Sequence, residues 1–486
     1  TTYNVLVVRV EFSPASSANQ TGDGTFDGAT TKTVVEAFMD KVKDFYTENS
    51  YGNLTINYTV TNKYTLPQTM SVYGQDTPYD QYDVLVQDLA NHASFINDYP
   101  SAALATYDHI MIYHAGAGQE SNPKGVRTDD IWSAYVSNLG VTGIDDATFV
   151  PEMENQGADP LGVICHEYGH QLGLPDLYYV NDSNVQVSTI GNWSLMDNGV
   201  WLGAPQGSNP SHLDAWSKYD LRFIAPVEIS GTQSNIELQP AETSGNYFYK
   251  ISLPVATDPG TEFFLVEFRY AQSTATYDAY IPGSGVLVYH VDNTIAQDTT
   301  RRLNNTVNNG VPHRGVDIEE PDGTDSGDNF GDAGDVYGSG STLFTDPLSR
   351  AYNGLESGIT LSFSISGATG RMSSTSIDFE QNLSIRELIS YPNPTYDGRA
   401  TIQVRLSRPY QTMEFFMYTL AGEKVKKATD AVFVFDGLKS TDNNWVYEYS
   451  WNGTNDDDQD VASGVYFYLI RINDSEVKTN KLAVIK

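Results

Sequence analysis

Apolar and polar positions change period along the chain, and the changes mark its parts. Residues 4–12, NVLVVRVEF, form a mostly apolar run of strand length; Val34, Val35, Phe38, Met39, Val42, Phe45 and Tyr46 then recur at helical spacing until Gly52. LTINYTV (54–60) alternates as a strand, residues 81–93 carry a helical period, and HIMIYHAG (109–116) is a further strand. Strands interleaved with helices predict a layered α/β sheet. From about residue 226 the helical period disappears. FFLVEFRY and GVLVYHV alternate there with Gly, Pro, Asp and Ser turns, which predicts an all-β middle third. In the last hundred residues YPNPTYDG, TIQVRL, MEFFMYTLAGEKV, YSWNGTNDDDQDVASGVYFYLIRI and KLAVIK pair short strands with turns, predicting a β-sandwich. The expected class is α+β, divided as 1–225, a β-rich 226–381 packed on it, and 388–486.

Charge sharpens that division. Residues 1–380 carry 48 acidic against 16 basic side chains, net −32, whereas residues 381–486 carry 14 against 12, net −2. The step places a boundary near residue 381, and 486 residues exceed one typical core. So negative a surface repels nucleic acid and anionic lipid and favours cations. No run of about 18 apolar residues occurs, so no transmembrane segment is expected. The first strand-like run begins at Asn4 with neither a basic leader nor a signal core before it, as expected of a mature chain. The single cysteine, Cys165, rules out an internal disulfide and reads as a small buried residue.

Candidate chemistry concentrates in CHEYGHQLGLPD, residues 165–176. Asp159 and Pro160 signal a helix start, and Gly173 before Leu174 and Pro175 signals its stop. His166 and His170 then lie one turn apart on one face, close enough to hold one ion, with Glu167 offset by about 100° towards a water on it. The plain alternative is a helix with two satisfied histidines. No glutamate occurs between Glu167 and Glu228 to serve as a third ligand from a later helix. A glycine three residues past His170 can turn the chain back, and Gly173 and Asp176 occupy the positions required. Asp176 is then the third ligand, or else a turn-forming aspartate after proline. His109, His114, His212 and His290 show no ligand spacing. Gly116 and Gly118 read equally as plain turns or as room for a substrate backbone at a cleft rim. Tyr178 and Tyr179 read as packing, with no assigned role.

HEYGHQLGLPDLYY followed by GNWSLMDNGVW resembles the metzincin clan, and within it the immune inhibitor A-like secreted metallopeptidases. FYTENSYGNLTI, HAGAGQE, HLDAWSKYDL, GVLVYHVD and DAGDVY extend the resemblance across roughly residues 1–378. It implies a zinc endopeptidase acting on protein or peptide substrates, with His166, His170 and Asp176 on Zn²⁺, Glu167 as general base and Met196 in a turn beneath the metal. Relatives often carry aspartate where Tyr179 stands, which bears on any auxiliary ion site there. The phrases of residues 388–486 are similar to the Ig-like C-terminal sorting domains of the type IX secretion system. That implies export by that machinery to the cell surface or medium, and a monomer is expected. The competing class is a secreted binding or adhesion protein that keeps the metal-bearing helix as scaffold; retention of Glu167 argues against it.

DIEEPDGTDSGDNFGDAGD, residues 317–335, packs eight acids and five Gly or Pro into nineteen residues. Two readings stand: a solvated loop, or a structural Ca²⁺ site with Asp322, Asp325, Asp328, Asp332 and Asp335 as candidate ligands. NDDDQD (455–460) carries the same two readings.

Overall fold

The computed structural model describes residues 1–75, 80–181, 185–253, 256, 260–271, 276–310, 313–323, 330–338, 342–377, 385–406, 410, 412–429, 432–439, 444–473 and 476–486. Two compact units divide the chain. One comprises Thr1–Ser252, Thr261–Phe344 and Leu361–Ser374; the other comprises Leu253–Gly260, Thr345–Thr360 and Thr375–Lys486.

The first unit opens with β1 (Thr2–Glu11), α1 (Lys32–Asn49), β2 (Thr55–Thr65), α2 (Tyr82–Ala90), β3 (His109–Ala117), β4 (Ala134–Val141), β5 (Ile144–Met153) and α3 (Leu161–Gln171). The strands form one sheet in the order β2-β1-β3-β5-β4, parallel except for β4, which runs antiparallel to β5 at the edge. Val5 and Val7 face one side, in a core with Val35, Met39 and Val42 of α1 and Ile164, Cys165 and Tyr168 of α3. Leu6, Val8 and Val10 face the other, against Leu85, Val86 and Leu89 of α2. Both faces of β1 are covered, which is why its sequence is an apolar run and not an alternation.

The unit continues through α4 (Ala215–Asp220), β6 (Val227–Glu228), β7 (Tyr249–Ser252), β8 (Glu262–Arg269), β9 (Gly285–Asp292), α5 (Asn293–Ala296), α6 (Thr299–Leu303) and β10 (Val316–Ile318). Strands β10-β9-β8-β7-β6 make a second sheet. Leu265, Leu287 and Tyr289 of that sheet enter the same core as α1 and α3. Helices α5 and α6 correct the expectation of an all-β middle third. Each is a single turn started by an aspartate: Asp292 accepts the Thr294 amide and Asp298 the Arg301 amide, both at 2.8 Å. Turns this short show no 3.6-residue period, so only their caps mark them. The class is α+β, with many strands and few helices.

The second unit contains two four-stranded antiparallel sheets. One joins Ile385–Tyr391, Ala400–Leu406, Asn444–Trp451 and Val434–Lys439; the other joins Lys424–Thr429, Met413–Tyr418, Gly464–Ile472 and Glu476–Val484. Phe415 of the second sheet meets Tyr449 of the first at 5.2 Å between ring centroids, so the sheets stack through their apolar faces. NDDDQD is a turn pinned by lysines: Lys424 pairs with Asp456 at 3.2 Å and Lys486 with Asp460 at 3.2 Å. Residues 378–384, spanning the charge step, lie outside the described residues, as do Asp325 and Asp328.

Candidate metal centre and cleft

Helix α3 begins one residue later than its sequence signals suggest. Asp159 Oδ1 accepts the Leu161 amide at 3.0 Å, and Pro160 takes the cap position. The helix is held inside the fold by Tyr46, whose hydroxyl donates to the Cys165 carbonyl at 2.5 Å. Gly169 gives the Met196 thioether room: a Cβ there would stand 2.8 Å from Met196 Sδ. At its far end the chain reverses through Gly173, whose φ of +109° is open to glycine and strained for other residues. Leu177 then donates its amide to the Met196 carbonyl at 2.9 Å, which ties the segment after the helix to the Met196 turn. Asp197 pins that turn by accepting the amides of Thr189 and Ile190 at 2.8 Å and of Gly191 at 3.0 Å.

His166, His170 and Asp176 converge. His166 Nε2 lies 3.1 Å from His170 Nε2 and 3.1 Å from Asp176 Oδ1, and His170 Nε2 lies 3.2 Å from the same oxygen. The other ring nitrogens are engaged by backbone: His166 Nδ1 with the Leu195 carbonyl at 2.9 Å, His170 Nδ1 with the Leu174 carbonyl at 2.8 Å. A carbonyl can only accept, so each Nδ1 carries the hydrogen and each neutral Nε2 presents a lone pair. Two lone pairs and a carboxylate oxygen crowded together, with His166 and Asp176 buried and His170 half-buried, call for a positive charge between them. A point just outside the plane of three such atoms lies about 2 Å from each, the length of a zinc bond to nitrogen or oxygen. The donor set therefore fits a metal ion, and these three residues are a group able to hold one.

The electrostatics agree. Burial disfavours a charged His170, yet Asp176 outweighs it and lifts the imidazole to about 9 when no metal is present. Asp176 is itself buried, but His170 and His166 hold it far below the usual carboxylate range. Glu167 is raised by burial against the opposing pull of the two histidines. Tyr178 lines the site beside Asp176, stacking at 6.4 Å on His166.

A cleft of about 680 Å³ opens over this group, with Glu167, His170, Asp176 and Tyr178 in its floor. Trp132, Ala134 and Tyr135, at the start of edge strand β4, line it, as do Thr299, Arg302 and Leu303 of α6. Residues 103–223 match the immune inhibitor A peptidase M6 catalytic domain. The M6 match encloses His166, Glu167, His170, Asp176 and Met196. Over 249 residues the chain is 29% identical to immune inhibitor A of Bacillus thuringiensis subsp. alesti, covering 41% of this chain and 33% of that protein. Over 277 residues it is 27% identical to the pre-pro-metalloprotease PrtV of Vibrio cholerae serotype O1, covering 47% of this chain and 30% of that protein. The chain thus spans about a third of the length of these relatives. Among solved structures, chitinase ChiW from Paenibacillus is 14% identical over 22% of this chain and 9% of that one, with a TM-score of 0.16. The M6 match and both relatives support a metallopeptidase.

Other sequence candidates fall differently. The space at Gly116 is closed by Met70 Sδ, 2.8 Å from where a Cβ would stand, and that at Gly118 by the carboxylates of Glu120 and Glu154. Those glycines accommodate the protein's own side chains and not a substrate backbone. Asp322 and Asp335 come together with Glu320, which the spacing of the acidic run did not single out; the three carboxylates can hold a cation. Asp332 instead closes its own turn, accepting the Gly334 amide at 2.5 Å. Cys165 is buried, and His290 sits between two carboxylates, Glu319 at 2.7 Å and Glu262 at 2.8 Å.

Proposed function

We propose that this protein is a secreted zinc-dependent endopeptidase, with His166, His170 and Asp176 as ligands and Glu167 as general base. The observation that carries the reading is the meeting of two bare imidazole nitrogens and a carboxylate oxygen at 3.1–3.2 Å beneath an open cleft. A bound zinc ion supplies Lewis-acid polarisation of the scissile carbonyl and acidifies the attacking water. Glu167 takes the proton of that water and returns it to the leaving amine; a carboxylate raised by burial is a stronger base for the first step. Met196 packs beneath the ligand helix, and Gly173 turns Asp176 towards the histidines. Among the described residues the half-buried start of β4 leaves one strand edge unpaired along the cleft, where an extended peptide substrate adds a strand.

The acidic stretch holds a structural Ca²⁺ through Asp322 and Asp335, joined by Glu320. Support comes from the buried Asp335 Oδ1, which has no hydrogen-bond partner among the described residues. Residues 388–486 serve as an Ig-like sorting domain for type IX secretion, supported by the phrases of that region and by two stacked antiparallel sheets. Extracellular or cell-surface location follows from that assignment. No helix among the described residues is long and apolar enough to cross a membrane.

The test is metal content together with chelator-sensitive cleavage of casein and of a proteome-derived peptide library read by mass spectrometry. One zinc per chain with cleavage that stops on chelation is expected. Zinc without cleavage would establish the binding-protein alternative.

A further inference from the structure

Helix α3 fixes its two histidines by its own hydrogen bonds and its packing. Asp176 lies beyond the helix, on a turn that starts at Gly173, where its amide donates to Asn305 Oδ1 at 3.4 Å. That glycine is exposed, and nothing lies within 4 Å of the position a Cβ would take; the next residue, Leu174, is buried in the core and donates its amide to the Gly169 carbonyl at 3.1 Å. Besides the local bond of His170 Nδ1 to the Leu174 carbonyl, further anchors come from far along the chain. Arg302 Nη2 donates to the Gly173 carbonyl at 2.7 Å and to Asp220 Oδ2 at 2.7 Å, while Nη1 donates to the Ala296 carbonyl at 3.1 Å. The guanidinium lies 5.6 Å from the centre of the Trp216 ring, so α4 braces it from below. At the other end, the buried Asn308 donates to the Leu177 carbonyl at 3.0 Å and the Thr189 hydroxyl at 2.9 Å. The segment Gly173–Leu177 is clamped at both ends, with Asp176 between.

We infer that Arg302 is a positioning residue for the third metal ligand, holding the Gly173–Asp176 turn against α4 so that Asp176 stays aligned with His166 and His170. The inference rests on the metal reading of the site. An ion is retained in proportion to the fraction of time all three donors are in place, and a released turn lowers that fraction. Arginine is suited to the task because its planar fork reaches separate acceptors at once, whereas a lysine ammonium reaches fewer in fixed geometry. Residues from the middle of the chain therefore complete a centre whose ligands all precede residue 180.

The experiment compares full-length wild type with Arg302→Ala, Arg302→Lys and Asp220→Asn. The measurements are zinc per chain, the rate of zinc transfer to a chromogenic chelator, kcat and KM on one peptide, and circular dichroism as the check on folding. Arg302→Ala is expected to release zinc about tenfold faster or more, with a fall in kcat, as for loss of other partners that orient a ligand. Arg302→Lys should restore part of the retention. Asp220→Asn, which does not line the cleft, should show an intermediate release rate with KM unchanged. Folded Arg302→Ala that releases zinc at the wild-type rate would overturn the inference while leaving the metal centre intact. Should that variant not fold, wild-type release by both Arg302→Lys and Asp220→Asn overturns it equally. A wild type that binds no zinc would defeat the metal reading itself, and this inference with it.

Discussion

The indole N–H of Trp193 donates to Asp335 Oδ2 at 2.7 Å, joining the segment that leads into Met196 to the acidic stretch 142 residues downstream. An ion bound among Glu320, Asp322 and Asp335 would therefore brace the floor of the metal centre. Millimolar Ca²⁺ is expected to raise the melting temperature and to shift indole emission, because an ion that binds only the native state stabilises it by mass action. Asp335→Ala should abolish both responses. Melting curves that coincide in Ca²⁺ and in a calcium-selective chelator would leave the stretch as solvated charge.

Glu167→Gln keeps the size of the side chain and removes its basicity. Zinc content is expected to stay near one per chain while turnover falls by about 10² or more. Cleavage at a near-normal rate by this variant would exclude Glu167 as the base.

Asp176→Ala removes one of the three proposed ligands. After dialysis against a weak chelator this variant should retain well under one zinc per chain, with activity lost in parallel. A fully loaded Asp176→Ala protein would place the third ligand elsewhere.

His290 makes stability depend on pH. Burial opposes its charge, but hydrogen bonds to Glu262 and Glu319 prevail and raise the imidazole to about 9. A folded-state value above the unfolded one means that the charged form is favoured by folding. The contribution is thus complete below about pH 6.5 and is lost as pH rises through about 9. The melting temperature of wild type should decline across that window, and His290→Gln should flatten the decline. An identical slope in both proteins would show that other groups set it.

The helix that bears the two histidines was legible because start and stop signals at Asp159 and Gly173 and a spacing of four define one face of a helix whatever surrounds it. The runs that became β1 and β3 were legible because both faces of a covered strand must be apolar. Arg302 and Asn308 were not, since nothing in their neighbourhood states that they approach Gly173 and Leu177 across more than a hundred positions. Glu320 was hidden for a related reason. An acidic run reports charge, not which carboxylates turn inward, and Glu320 and Asp335 are only 4% and 1% exposed. Helices α5 and α6, being single turns, left no period to read.

The contact between Arg302 and Gly173 spans 129 residues, and this sets an order of events during synthesis. The two histidines and Asp176 leave the ribosome with only the local bonds of their turn, and at common rates of elongation Arg302 follows on the order of ten seconds later. Until then the chain carries the ligands without the clamp that aligns them. A nascent chain halted between these points can form the helix but lacks the Arg302 contact to the turn that follows it, so the arrangement of the three donors is completed only after the region of α5 and α6 has emerged.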